Sequence, residues 1–367
     1  MKKILAKTFT TIAVLCSLVI SAGAEEAKPA PNPLADIKAA LGLSIYLQGG
    51  TTFNLRNPDP QENDLRVFDH KANSFGLDLA QIVFAKDPAA VDSVGYKLKL
   101  SAGETAKWIH SRGLGQPGDE FDLTEAYVSY MAPVGKGLRL DFGKFVTFTG
   151  AEVIEAKDNP NYSRSLLFNY AIPFTHTGFK AGYTFSDAVN AAVYLVNGWD
   201  NTDDNNKGKT VGLSFGYTPM EQLAMLFNVL YGPERDNSSD NRFLFDWVGT
   251  IKPVKNLTFI LNTDYATEKN GAVTKDSKWY GIAGIAKYDF NDKYSLSGRA
   301  EYFNDEDGVR TGTAQKLKEI TITPEIRLAK DLLVRPEYRH DWSDEMSFKG
   351  GSRKSQDTLA LAIMYTW

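Results

Sequence analysis

The last nine residues of the chain form an alternating apolar segment that restricts the fold more than any other feature. Leu359, Leu361, Ile363, Tyr365 and Trp367 recur at every second position, and small or weakly polar residues separate them. Successive side chains of a strand point to opposite faces, so the segment predicts a strand with one apolar face. In a soluble protein such an edge invites aggregation. A transmembrane β-barrel needs it to close its sheet, and we predict that Leu361, Ile363, Tyr365 and Trp367 form a terminal membrane-insertion strand.

The first 24 residues have the order of a secretory signal peptide. Lys2, Lys3 and Lys7 precede an apolar run over residues 12–20, and Ala22-Gly23-Ala24 fits a cleavage site. Removal of these lysines would change the formal charge from −4 to −7, so we expect no binding to nucleic acid.

A lipoprotein anchor at Cys16 is the alternative reading of this segment, although Ala13-Val14-Leu15 matches a lipidation box poorly. If Cys16 leaves with the signal peptide, no cysteine remains, and disulfide or thiol chemistry is excluded. Beyond residue 24 we find no run of about 18 apolar residues, so the sequence predicts no transmembrane helix.

Residues 25–42 are interpreted as a periplasmic linker with a short helix, and residues 43–367 as the barrel domain. Period-2 alternation and turn residues mark about sixteen strands. Their predicted starts lie near Leu43, Asn73, Val94, Asp119, Gly137, Phe174, Ala188, Gly208, Gln222, Arg242, Asn256, Lys278, Lys293, Lys316, Leu332 and Gln356.

The connections alternate between tight turns and longer polar stretches. The tight ones include residues 186–187, 220–221, 253–255, 291–292 and 330–331, which are rich in turn formers. The long ones are 56–71, 105–118, 149–173, 200–207, 233–241, 268–276, 305–315 and 342–355. A β-sandwich lacks this alternation, whereas bacterial barrels have short inner turns and long outer loops. We predict an all-β, antiparallel up-and-down transmembrane β-barrel of about sixteen strands.

Charged residues fall on the face that must avoid lipid, because a Lys or Arg at the bilayer midplane costs about 2–4 kcal/mol. An interior this polar in a barrel of about sixteen strands predicts a water-filled channel. The predicted pore-lining residues are Lys97, Lys99, Glu125, Arg139, Asp141, Lys180, Arg299, Glu301, Glu325, Arg327, Arg335, Glu337 and Arg339. The charged residues from Arg299 to Arg339 fall on three successive strands and predict a cross-strand ladder of charges. This ladder either creates a transverse electric field that acts on passing solutes, or consists of wall pairs that neutralise each other with little effect on permeation.

The longest outer connection, residues 149–173, predicts a constriction loop that folds into the lumen, since loops of this length tend to be functional. The alternative is a solvated surface loop. Its charged candidates are Glu152, Glu155, Lys157, Asp158 and Arg164.

Aromatic residues near strand ends predict interfacial girdles. They are Tyr127, Tyr130, Tyr183, Tyr194, Trp199, Tyr217, Tyr231, Tyr288, Tyr302 and Trp367. Asp200, Asp203, Asp204 and Asn205 supply hard oxygens for Ca²⁺, but without EF-hand spacing a solvated loop is the favoured reading. We expect no metal site and no cofactor.

Particular stretches resemble the OmpL-like β-barrel porin family, also called porin type 2. They are residues 125–130, 132–138, 142–147, 150–152, 161–166, 174–178 and 197–200. The resemblance extends over about residues 41–367 and implies an outer-membrane pore for small solutes. It supplies no catalytic residues.

The sequence therefore predicts a porin of the Gram-negative outer membrane through which small hydrophilic solutes diffuse passively, and not an enzyme. The alternatives are a barrel that acts as an adhesin or receptor, and a surface enzyme, for which we find no positioned nucleophile and base. Expected partners are outer-membrane lipids, the barrel assembly machinery and the solutes. The sequence distinguishes neither homotrimer from monomer nor anion from cation preference.

Overall fold

The structure is a computed structural model that describes residues 33–272 and 275–367. The predicted signal peptide and most of the predicted linker lie outside these residues. A helix, α1, spans Pro33–Leu41, with Asp36 in its first turn and Lys38 in its last. These charges complement the helix dipole. A second, five-residue helix, α2, spans Glu104–Trp108. No helix in the described ranges is long and apolar enough to cross a membrane.

A closed barrel of sixteen antiparallel strands makes up the chain from Leu43 to Thr366. The strands are β1 (Leu43–Asn54), β2 (Phe75–Lys86), β3 (Val94–Ala102), β4 (Phe121–Ala132), β5 (Leu138–Val146), β6 (Thr175–Ser186), β7 (Val189–Val196), β8 (Thr210–Met220), β9 (Leu223–Pro233), β10 (Asn241–Val254), β11 (Leu257–Ala272), β12 (Lys275–Asp289), β13 (Tyr294–Asp305), β14 (Gln315–Ala329), β15 (Leu332–Ser343) and β16 (Ser355–Thr366). Each predicted strand start lies within three residues of an observed one. The predicted fold class is confirmed.

The first and last strands close the barrel. β1 and β16 pair in continuous register from Tyr46 opposite Thr366 to Asn54 opposite Thr358. The apolar residues of β16 point outward, where Leu361 is 41% exposed and Ile363 is 49% exposed. Closure removes the unpaired edges that backbone groups in lipid do not tolerate.

Alternation separates the two faces of the strands, and β14 shows this most clearly. Ile320 and Ile322 are 46% and 47% exposed, whereas Glu319, Thr321 and Thr323 are buried. The exposed residues face lipid and the buried ones face the interior, as the period of two requires.

The connection predicted at residues 268–276 is corrected by the structure. β11 and β12 continue through it as a hairpin, so that Glu268 pairs with Ser277 and Ala272 pairs with Lys275. The hydrogen bonds of a strand join backbone groups and do not require apolar side chains. Polar residues therefore extend β11 and β12 beyond the band of lipid-facing apolar residues.

Two of the predicted girdle aromatics are also corrected. Tyr194 is 5% exposed and Trp199 is 8% exposed, and both belong to buried apolar clusters. The alternation of β7 turns Val193 and Leu195 outward and therefore Tyr194 inward. Tyr217, Tyr231, Tyr288 and Trp367 remain exposed on the outer face.

Candidate functional site: the barrel interior

Residues 149–173, here called the inner loop, lie inside the barrel between opposite walls. The backbone amide of Ala151 donates to Asn262 Oδ1 of β11 at 3.1 Å. Glu155 Oε1 accepts from Lys99 Nζ of β3 at 2.8 Å. β3 and β11 are eight strands apart in a barrel of sixteen, so the inner loop crosses the interior. A short 3₁₀ turn, Ala156–Asp158, and a π-helical turn, Leu167–Ala171, shape it locally.

Inward carboxylates of β13 and β15 bind backbone amides of the inner loop. Glu337 accepts hydrogen bonds from the amides of Tyr162 and Ser163 at 2.7 and 3.0 Å. Glu301 accepts from the amides of Leu166 and Leu167 at 2.6 and 3.3 Å. Buried backbone amides need such partners, and these residues lie outside any strand ladder that would supply them.

Three inward arginines bind backbone carbonyls of the inner loop. Arg299 donates to the carbonyl of Ser163 at 2.7 Å, Arg339 to that of Arg164 at 2.6 Å, and Arg335 to that of Ala156 at 2.5 Å. Their exposed fractions are only 2%, 1% and 1%. The three guanidinium groups therefore lie against the loop rather than in open lumen.

The same arginines pair with wall carboxylates. Arg299 contacts Glu319 at 2.7 Å and Arg335 contacts Glu325 at 2.5 Å. A buried charge is costly unless several partners replace its water. Here, wall acids and loop carbonyls replace that water together.

One carboxylate oxygen of Glu155 accepts two hydrogen bonds from the barrel wall. Gln81 Nε2 and Lys99 Nζ both donate to it at 2.8 Å. Burial opposes its ionisation, but the charge of Lys99 and these hydrogen bonds outweigh burial and lower the pKa of Glu155 to about 2. The contact is therefore an ion pair throughout the physiological range.

An apolar cluster anchors the second half of the inner loop. Leu167 and Phe168 are buried with Phe68, Trp279 and Phe303. Phe68 and Phe168 have ring centroids 5.5 Å apart, and Trp279 Nε1 donates to the carbonyl of Ala171 at 3.1 Å. The polar wall residues predicted an interior filled with water. On this side the interior is instead filled by apolar side chains, because the inner loop contributes them.

The wall formed by β3 to β6 carries charges of unequal exposure. Lys97, Arg139 and Lys180 keep 27%, 27% and 30% of their side chains exposed. Their partners Glu125 and Asp141 are almost fully buried, with contacts of 2.8 Å for Lys97–Glu125 and Arg139–Asp141 and 3.4 Å for Lys180–Asp141. On this wall Glu125 and Asp141 lie behind the cations, and Arg139 also pairs with the exposed Asp87 at 2.8 Å.

A cavity of about 250 Å³ separates the inner loop from this wall. Lys97, Lys99 and Val146 line one side of it, and Ile154 and Asp158 line the other. Free space therefore lies beside the inner loop, toward the cationic wall.

The remaining predicted residues differ in exposure. Arg327 is exposed and borders an inner-end cavity of about 610 Å³ that Glu325 also lines. Lys157 and Asp158 form a partly exposed pair at 2.6 Å. Arg164 is buried and donates to the carbonyls of Tyr162 and Ile154.

Several interior residues lie outside the predicted pore-lining set. Asp78 accepts from Tyr162 Oη at 2.9 Å, Glu319 bridges Arg299 and Arg339, and Arg66 contacts Asp341 at 2.6 Å. Alternation along β14 already placed Glu319 inward. Arg66 belongs to an outer connection, where no periodicity shows that it turns inward.

A cation–aromatic cluster lies at the outer end of the interior. The guanidinium carbon of Arg242 is 4.4 Å from the Trp199 ring centroid, and that of Arg310 is 5.2 Å from the Trp279 ring centroid. Glu234 accepts from the amide of Trp199 at 2.7 Å. Burial raises the pKa of Glu234 to about 7, although Arg242 opposes this rise. Burial and the charge of Arg242 lower the pKa of Arg310 to about 10.

The carboxylate oxygens considered as Ca²⁺ ligands form hydrogen bonds and an ion pair within the protein. Asp200 Oδ1 accepts from the amides of Phe174 and Thr175 at 3.0 and 2.8 Å, and Asp204 pairs with Lys209. Within residues 33–272 and 275–367, no group of three or more His, Cys, Asp or Glu side chains is arranged to hold a metal ion.

Solved structures with the same architecture include three bacterial outer-membrane proteins. The outer membrane channel DcaP of Acinetobacter baumannii shares 10% identity, with a TM-score of 0.61 over 89% of this chain and 96% of its own. The anion-selective porin from Comamonas acidovorans shares 10% identity, with a TM-score of 0.62 over 89% and 98%. OmpT of Vibrio cholerae, in a trimer form, shares 14% identity, with a TM-score of 0.59 over 89% and 98%. At such identities the likeness shows the fold alone.

No curated protein matches the chain. The family described as "Putative beta-barrel porin-2, OmpL-like" matches residues 40–367. The chain belongs to this porin family, and it forms an outer-membrane channel for passive diffusion.

Proposed function

We propose that solutes cross this porin beside the inner loop, along the wall formed by β3 to β6, and that the passage favours anions. The main support is a difference in exposure. The side chains of Lys97, Arg139 and Lys180 are partly exposed, whereas those of Glu125 and Asp141 are almost fully buried. A solute in the lumen meets these three cations at close range, while Glu125 and Asp141 lie behind them. The exposed acids nearby are Asp87, which pairs with Arg139 at 2.8 Å, and Asp158 of the inner loop. Rings or walls of one exposed sign select the opposite charge in channels.

In this proposal the inner loop is the constriction, and Arg299, Arg335 and Arg339 fix its position rather than contact solutes. Their burial and their bonds to loop carbonyls support this role. Glu152 and Glu155 have the same role from the loop side, through Arg299 at 2.8 Å and Lys99 at 2.8 Å.

The selectivity is tested by reversal potentials in a salt gradient across planar bilayers. Wild type should prefer the anion, and the triple variant Lys97→Gln, Arg139→Gln, Lys180→Gln should lose that preference. Arg353→Gln is the control, because it removes an exposed cation from an outer connection. A wild-type preference for cations, or an unchanged preference in the triple variant, would reject the proposal.

The constriction is tested separately by deletion of residues 152–164. Single-channel conductance should rise, because the segment that crosses the lumen is gone. An unchanged conductance in a barrel that still shows heat-modifiable migration would place the constriction elsewhere.

The family and the fold indicate a channel rather than an enzyme. A homotrimer, in which three such channels share one assembly, stays a prediction, as do contacts with lipids and with the assembly machinery. Chemical cross-linking in intact outer membranes measures the oligomer directly, and a ladder that stops at the monomer would refute the trimer.

A further inference from the structure

Three polar side chains lie side by side on the inner face of β9, β10 and β11. Asn228 is opposite Asp246 in the register of β9 and β10, and Asp246 is opposite Asp264 in that of β10 and β11. Their exposed fractions are 0%, 0% and 3%. Directly opposed residues of antiparallel strands have Cβ atoms about 4.5–5.5 Å apart, so two carboxylates and an amide are grouped in the buried wall.

Asp246 is held by two side-chain amides. Asn228 Nδ2 donates to its Oδ2 at 2.7 Å, and Asn262 Nδ2 donates to its Oδ1 at 2.8 Å. Asn262 Oδ1 in turn accepts from the backbone amide of Ala151, which fixes the orientation of the Asn262 side chain. Asp246 thus accepts a hydrogen bond at each oxygen, as an ionised carboxylate does.

Three buried oxygens of this group have no hydrogen-bond donor. They are Oδ1 and Oδ2 of Asp264 and Oδ1 of Asn228. In the part of the chain that the structure describes, neither Asp246 nor Asp264 forms an ion pair with a Lys, Arg or His side chain. Buried carboxylates without a counter-charge are costly, and all three unpartnered atoms are acceptors. These atoms require a positive charge or several donors.

A shared proton would meet this need only in part. It would join one oxygen of Asp264 to Asp246, as in carboxylate pairs that cannot both ionise. The other oxygen of Asp264 and Oδ1 of Asn228 would still have no donor. A hard cation contacts several oxygens at once, and Ca²⁺ takes about six to eight of them at about 2.3–2.6 Å. Twice this distance is about 4.8 Å, the spacing of neighbouring strands, so a cation beside Asp246 is within reach of oxygens on both adjacent strands.

We propose that Asn228, Asp246 and Asp264 bind one Ca²⁺ ion. The carboxylates contact it through one or two oxygens each, and the amide contacts it through Oδ1. Mg²⁺ fits less well, because it keeps several waters and this group is almost completely buried. The spacing of the three residues in the sequence does not indicate a metal site, because the register of three strands brings them together.

The ion stabilises the start of the inner loop. It holds Asp246, Asp246 binds Asn262, and Asn262 binds the backbone amide of Ala151. Without the ion, the two carboxylates repel each other beneath this series of hydrogen bonds. Ca²⁺ binding here is independent of the path that solutes take through the lumen.

Binding is measured by isothermal titration calorimetry on the purified full chain in detergent, stripped of divalent cations with EGTA and then dialysed. CaCl₂ is the titrant, and wild type should bind one Ca²⁺ per chain. MgCl₂ should bind about tenfold more weakly, or less tightly still, because Mg²⁺ dehydrates reluctantly. Mg²⁺ binding as tight as that of Ca²⁺ would reject the choice of cation.

Asp264→Asn keeps the shape of the side chain and removes one charge. It should weaken Ca²⁺ binding about tenfold or more, since the charge of the ligands sets Ca²⁺ affinity. Asn228→Ala removes the amide oxygen and should weaken binding as well. Asp203→Asn is the control, because it neutralises an exposed acid of the outer loop at residues 200–207, and it should bind as wild type does.

Heat-modifiable migration shows whether each variant is folded and gives a second measurement. Excess Ca²⁺ should raise the temperature at which wild type and Asp203→Asn lose this migration, because an ion that binds only the folded barrel stabilises it. Asp264→Asn should show no such rise. Equal Ca²⁺ affinity in wild type and Asp264→Asn would overturn the proposal. So would the absence of Ca²⁺ binding by wild type, and an infrared carboxylic-acid band that Asp264→Asn removes would then show a shared proton instead.

Discussion

The ion pair between Glu155 and Lys99 gives the sharpest prediction about the inner loop. It joins the loop to β3 at the edge of the free space, whereas the contacts of Glu301, Glu337 and Arg335 with the loop backbone lie on β13 and β15. Glu155→Gln keeps the shape of the side chain and removes its charge. We expect the segment near Glu155 to leave the wall part of the time and the conductance to rise or become noisier.

The magnitude follows from the pKa of Glu155, which falls from 4.5 to about 2. At about 1.4 kcal/mol per pKa unit, the charged contact stabilises the docked loop by about 3 kcal/mol. Because the pKa is lowered, this contribution is fully present above pH 4.5 and is lost as the pH falls through about 2. Loss of about 3 kcal/mol changes the ratio of docked to released loop by about two orders of magnitude.

Single-channel recording at pH 7 and at pH 3.5 provides the assay. Wild type should keep one stable conductance at both values, since Glu155 stays largely ionised at pH 3.5. Glu155→Gln should show the higher or noisier level at pH 7 already. Asp158→Asn is the matched control, because Asp158 lies in the same loop but is paired only with the partly exposed Lys157. If Glu155→Gln records like Asp158→Asn, the contact does not hold the constriction.

The other predictions concern stability, measured by the temperature at which the barrel loses its heat-modifiable migration. Leu167→Ala should destabilise the inner loop by about 2–5 kcal/mol because it leaves a cavity, whereas Val153→Ala, at a position 40% exposed, should cost far less. Trp279→Phe should cost about 1 kcal/mol through the lost bond to the loop, and no loss would show that this bond is unimportant. The raised pKa of Glu234 gives stability that is present below pH 4.5 and lost as the pH rises through about 7, so Glu234→Gln should remove this decline while Asp240→Asn should keep it.

The barrel was predictable because its determinants are local. Alternation along each strand places Ile320 outward and Thr321 inward without knowledge of any other strand. Errors arose where this signal is weak. Tyrosine is common in strands on both faces of a sheet. The residue type alone therefore did not show that Tyr194 points inward. Polar residues such as Lys269 resembled a loop although the backbone there continues a strand.

The interior was less predictable because its determinants are contacts between distant segments. Alternation along β15 showed that Arg335 points inward. It did not show that Arg335 donates a hydrogen bond to the carbonyl of Ala156, 179 positions earlier in the chain. For the same reason the sequence left open whether the wall charges face solutes or neutralise each other. The wall charges also have a third role, because they are buried beneath the inner loop and bind its backbone. Only the position of the loop reveals this role.

That role explains why a wall beneath a loop is charged at all. Apolar side chains at the positions of Arg299 and Glu337 would avoid the cost of burying ions. They would, however, leave the amides and carbonyls of an irregular buried segment without partners, at about 1–3 kcal/mol for each group. Carboxylates and guanidinium groups at alternate positions of adjacent strands offer acceptors and donors in turn, which matches the mixed needs of a loop backbone. The ladder read from the sequence is therefore best understood as the surface on which the inner loop is held.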